Sequence, residues 1–152
     1  MAGNSSARIT VTRRVINNRI PQVIASITTN TQNAVDQTAA AVQEFASQIA
    51  PVDTGALRNS IYVNNGRDSD YASRISIASG LNPDMQALEE LDPEFVIPLS
   101  GTNTGNVAVV GVGAHYGIFL EQGTVFQPPQ PFMLPAAEAS SDDFESLMRN
   151  IV

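Results

Sequence analysis

The chain has 152 residues and a mass of 16.2 kDa, enough for one domain with a real core. It carries no cysteine and a single histidine, His115, which excludes disulfides, thiolate chemistry and multi-histidine metal sites within one chain. A net charge of −7, with arginine as the sole basic residue besides His115, argues against DNA wrapping or an anionic membrane surface, because phosphate binding needs basic clusters.

The first twenty residues contain Arg8, Arg13, Arg14 and Arg19 and no acid, and read as a basic arm. They lack the apolar core of a secretion signal, and no apolar run along the chain reaches membrane-spanning length. A soluble, cytosolic product is expected. Ile16, Ile20, Val23, Ile24, Ile27, Thr31, Ala34, Val35, Thr38, Val42, Phe45, Ala46 and Ile49 recur at steps of three and four, one face of an amphipathic helix. Pro21 suits its first turn and Pro51 stops it. A helix over 21–49 is about 43 Å long. That is too long for so small a domain to cover, so part of its stripe is expected to meet another chain, with Ala39, Ala40 and Ala41 small enough for close approach.

"APVDTGALRNSI" (50–61) follows, and Asp-Thr-Gly-Ala is the active-site tetrapeptide of aspartic proteases. A protease needs that aspartate at the end of a buried strand, facing a second carboxylate with which it shares a proton. Here a helical pattern and a proline precede Asp53, and "GRD" (66–68) lies only about a dozen residues downstream. The structural reading uses every residue: Asp53 or Thr54 N-caps a short turn, Gly55 permits a tight bend, and Leu57 returns to the core.

"SIYVNN" (60–65) and "ASRISIAS" (72–79) alternate apolar and polar residues as strands do, and "NGRD" between them predicts a hairpin. Residues 80–105 hold prolines, glycines and most of the acid, and read as an inserted loop with one helical turn at 85–91. Within it Asp84, Glu89, Glu90, Asp92 and Glu94 form an acidic arm without a base. "NVAVVGVGA" (106–114) predicts a strand whose glycines allow close backbone approach. "HYGIFLEQG" (115–123) predicts a short helix ended by Gly123. His115 and Glu121, six apart on a helix, face different ways and make no acid–base pair, and His115 reads as a hydrogen-bonded structural residue. Glu121 is expected to accept hydrogen bonds or to pair with an arginine, Arg58 first. "TVFQPPQPFMLP" is extended, and from Pro135 a closing amphipathic helix carries Phe144, Leu147, Met148 and Ile151. No nucleophile constellation, phosphate-binding glycine loop or cofactor motif occurs, so no enzymatic activity, metal or cofactor is expected.

Taken in order, three blocks resemble the tail-completion (head–tail joining, neck) proteins of tailed bacteriophages. Asp53, Thr54, Gly55, Leu57, Arg58 and Ser60 supply the first block. Tyr116, Glu121, Gly123 and Thr124 supply the second, and Pro131, Phe132, Pro135 and Ala136 the third. The match spans roughly residues 20–150, with the acidic loop and the basic extension as departures. It implies an α+β fold, a small antiparallel sheet packed by the long N-terminal helix and a C-terminal helix. It further implies a homo-oligomeric ring, usually a hexamer, at the head-proximal end of the tail in the virion, assembled in the host cytoplasm. Such a ring contacts the head connector and the tail tube or terminator, and DNA passes through its lumen without sequence-specific binding. An adaptor or stopper ring beneath the portal is the alternative within the virion, and an aspartic hydrolase using Asp53 the alternative outside it.

Overall fold

The structure, a computed structural model, describes residues 18–87 and 106–151. It is an α+β fold: a two-stranded antiparallel sheet packed by a long N-terminal helix and by helices near the C-terminus. Among the described residues no helix is long and apolar enough to cross a membrane. Arg8, Arg13 and Arg14 of the basic arm, and Glu89, Glu90, Asp92 and Glu94 of the acidic one, lie outside the described residues. Arg19 is exposed just before the first helix.

Helix α1 runs Ile20–Ile49 with Pro21 in its first turn. Ala50 leaves the helical region (ψ 135°), as the residue before a proline must, and its N–H closes the last turn on Ala46 O at 2.9 Å. Every residue from 20 to 30 is exposed, and the buried positions Ala34, Ala39, Gln43 and Ala46 begin only at the middle of the helix. The alanines of the middle meet this chain's own C-terminal helix: Ala41 shares a groove with Leu147 and Asn150, and Ala39 another with Phe144. The surplus of α1 is therefore its first third, not the alanine run.

Helix α2 (Ala56–Asn59) leads into strand β1 (Ile61–Asn64). The "NGRD" turn forms as expected: Gly66 takes φ 75°, Asn65 N–H donates to Asp68 O at 3.1 Å, and Asn65 Oδ1 accepts the amides of Arg67 and Asp68. No second strand follows it. Residues Tyr71–Leu81 form helix α3, so the predicted strand over 72–79 and its hairpin are corrected. Tyr71, Ile75 and Ala78 sit at helical spacing on the face toward the core, and Arg74 pairs with Asp70 at the helix start (2.9 Å).

The partner of β1 is β2 (Val109–Val112), antiparallel, with Ile61 opposite Val112 and Tyr62 opposite Gly111. The expected close approach is found here. A Cβ on Gly111 would sit 2.6 Å from the Tyr62 ring, so only glycine admits the tyrosine across the ladder. Residues 85–87 are not helical; Ala87 bridges to Ala114, and the rest of the turn expected at 85–91 lies outside the described residues.

Helix α4 (Gly117–Gln122) ends at Gly123, which adopts φ 77°. The closing helix is two helices: α5 (Met133–Ala139), which begins two residues before the expected Pro135, and α6 (Ser141–Arg149). Ser140 breaks them, buried, with its hydroxyl returned to Ala136 O at 3.0 Å. Phe132, Ile61 and Leu57 fill the centre, and Ala46, Ala50, Ala56, Ala78, Ala114 and Ala136 surround them. Small side chains at these contacts let the helices approach the sheet closely.

Candidate functional site

The three sequence blocks, 83 residues apart from Asp53 to Ala136, each bring residues to one cluster at the junction of α2, α4 and α5. Leu57 of the first block, Phe132 and Ala136 of the third are all buried in the same core, with Ala114 just ahead of the second. Ser60, fully buried, joins the first to the second. Its hydroxyl donates to Leu57 O (2.8 Å) and accepts the Ala114 amide (3.2 Å), while its carbonyl accepts the Gly113 amide (2.9 Å). Tyr116 completes that seam against Leu57. Burial pushes its phenol pKa up, and the negative charge of Asp53 adds to this, against a hydrogen bond from the Leu57 backbone.

Glu121 joins the second block to the third. Its Oε2 accepts the amides of Phe132 (2.8 Å) and Met133 (3.0 Å), and its Oε1 the amide of Leu134 (3.0 Å). These are the first amides of α5, which have no partner within the helix, and a carboxylate there also complements the helix dipole. Burial works to raise the Glu121 pKa, yet the three amides outweigh it and hold the carboxyl below its ordinary value. The expectation of an acceptor role is met, while the partner first proposed is corrected: Arg58 does not reach Glu121. Arg58 instead lies half-buried in a groove with Gln43, Glu44 and Arg74, its Nε without a partner among the described residues.

The turn after Glu121 is locked. Thr124 N–H donates to Gln127 O at 2.8 Å, Thr124 Oγ1 accepts the amides of Phe126 (3.2 Å) and Gln127 (3.1 Å), and Gln130 N–H returns to Leu120 O at 2.8 Å. A Cβ on Gly123 would meet the Pro129 nitrogen at 2.7 Å, so the positive φ and the close approach both require glycine. Pro131 is exposed and Pro135 half-buried.

Asp53 and Thr54 are exposed on the loop between α1 and α2. Asp53 does not cap α2: Gly55 (φ 84°) occupies the cap position, and only Thr54 Oγ1 reaches an amide, that of Ala56 at 3.3 Å. The Asp-Thr-Gly tripeptide thus follows a helix and precedes a helix, rather than ending a buried strand. His115 is hydrogen-bonded as expected, its Nδ1 3.3 Å from Gln86 O.

One half-buried polar centre has no counterpart in the sequence reading. Asp70 accepts Gln43 Nε2 (2.8 Å), the Val63 amide (2.7 Å) and Arg74 Nε (2.9 Å), pinning α1, β1 and α3 together. Burial works to raise its pKa, and the bonds from Gln43, Val63 and Arg74 together hold it below the ordinary value. The Asp-x-x-x-Arg spacing over 70–74 was the available signal, legible only once α3 is read as a helix. Beyond the fold, Arg67 on the turn forms an ion pair with Asp36 of α1.

No family model, no curated protein and no solved structure matches the chain.

Proposed function

We propose that this chain is a structural subunit of a bacteriophage neck, forming a homo-oligomeric ring that completes the head-proximal end of the tail and joins it to the head connector. The observation that carries the reading is the convergence of the three blocks. Residues that resemble the neck family in sequence, Leu57, Ser60, Tyr116, Glu121 and Phe132, are bonded or packed to one another across the fold. Such a rigid seam suits a subunit that must transmit position between neighbouring rings rather than turn over a substrate.

Two further features support assembly. The first third of α1 stands exposed with apolar side chains, and heterologous contacts between identical copies form a ring when their rotation closes. The net charge of −7 suits a lumen through which DNA slides, since an acidic wall repels phosphates. The basic and acidic arms are complementary in sign and serve either neighbouring subunits or the flanking head and tail rings.

Electron-microscopic imaging of the purified protein tests the reading. Closed rings, six-fold in the leading form, with a lumen wide enough for duplex DNA are expected. Single chains at every concentration, or open filaments without a lumen, count against it.

A further inference from the structure

Two surfaces of this chain expose apolar side chains that no other described residue covers. The first is the protruding third of α1, where Ile20, Val23, Ile24 and Ile27 fall at i, i+3, i+4, i+7 and are 44 to 64% exposed. Residues 20–35 contain no charge at all. The hydroxyls of Ser26, Thr28, Thr29 and Thr31 donate to carbonyls of their own helix, so this surface needs no hydrogen-bond partner from outside. It is also a poor helix by itself. β-Branched residues crowd it, no acid lies in its first turn and no side chain caps its start except Asn18, which accepts the Ile20 amide. Segments of this kind hold their helix through packing.

The second surface is made by the first turn of α4 and the turn that follows the helix. Ile118 and Phe119 are half exposed, and Val125 and Phe126 are 96 and 98% exposed. Phe126 is held out by the Thr124–Gln127 bonds rather than left to fold back. Ile118 borders a cavity of about 210 Å³ whose walls include Val112, Phe132 and Met133 and also His115 and Glu121, the latter with its carboxylate taken up by the amides of α5. Residues 122–137 again contain no charge.

We propose that these two surfaces are the halves of one contact, the α1 stripe of one copy seated on the Ile118–Phe126 patch of the next. Charge identifies the occupant as a second copy. Chains of net charge −7 repel one another, so they associate through neutral faces, whereas a basic partner would be drawn to the acidic ones. Charge depletion with exposed aromatic and aliphatic side chains is also the composition of an interface core. Burying both surfaces removes on the order of 1,000 Å² of apolar side chain from water at each junction, the lower limit of a specific interface, and each subunit of a ring makes two. The contact is heterologous, because stripe and patch are different surfaces of the same chain. It rests on the ring reading above and deepens it by naming the faces that meet.

The test uses the full chain and light scattering over a concentration series. Ile24→Asp and Phe126→Asp are each expected to reduce the assembly to single chains. Thr29→Asp, on the opposite side of α1, is expected to leave it intact. Unchanged circular dichroism of the two interface variants separates lost contact from lost fold. Mixed in equal amounts, they are expected to form pairs and nothing larger, since only one intact stripe and one intact patch remain to meet. Assembly that survives either variant overturns this contact and leaves the ring reading standing. A wild-type chain that stays single at all concentrations overturns both.

Discussion

Glu121 satisfies three backbone amides that α5 has no means of satisfying from within. Glu121→Ala removes all three acceptors at once, and a loss of about 2–3 kcal/mol in urea unfolding is expected. Glu121→Gln keeps one acceptor oxygen and is expected to lose less. The pH dependence follows from the same bonds. Glu121 and Asp70 both hold their carboxyls below ordinary values. The stability they contribute is therefore present above the ordinary carboxylate range, and is lost as pH falls through their lowered native values. Unfolding midpoints measured from pH 7 downward are expected to fall below about pH 4–5, and Glu121→Gln is expected to flatten part of that fall. Asp53 behaves differently, since its carboxylate is exposed and caps nothing. Asp53→Asn is expected to move the thermal midpoint little. Peptide hydrolysis by the wild type that disappears in Asp53→Asn would restore the hydrolase reading.

At the scale of elements, the sheet is a single ladder whose register is fixed by one glycine facing one tyrosine. Gly111→Ala places a methyl group against the Tyr62 ring, and a cost of about 1–3 kcal/mol is expected, partly recovered by Tyr62→Ala in the same chain. Chemical denaturation of the two single variants and the double variant measures this. The sequence made α1, β1, β2 and α4 legible because each has a long stripe, an alternating run or a terminating glycine or proline. It misled over α3. "ASRISIAS" satisfies a two-residue period over a short window, and the helical signal depends on Tyr71, one residue before that window. The turn at Asn65–Asp68 was read correctly, but what a turn connects is decided by pairing far along the chain, here with 109–112. At the candidate site, the need of Glu121 for donors was legible and their identity was not. Three amides of a helix start eleven residues on do not announce themselves in sequence as the charge of Arg58 does.

For the whole molecule, one feature governs the functional account: a seam of three blocks carries apolar surface that no other described residue covers. The seam is the meeting of the three blocks, and the unused surface is the first third of α1 with the Val125–Phe126 turn. A monomeric protein of net charge −7 gains nothing from displaying a locked phenylalanine to water, whereas a ring subunit covers it with its neighbour. The central proposal, a ring that joins head to tail, is tested most directly in a tailed phage carrying this gene, with the gene interrupted by a stop codon. DNA-filled heads and finished but unattached tails are expected in the lysate, with joined, infectious particles recovered when the purified protein is added. Normal joined particles in the absence of the protein would contradict the account.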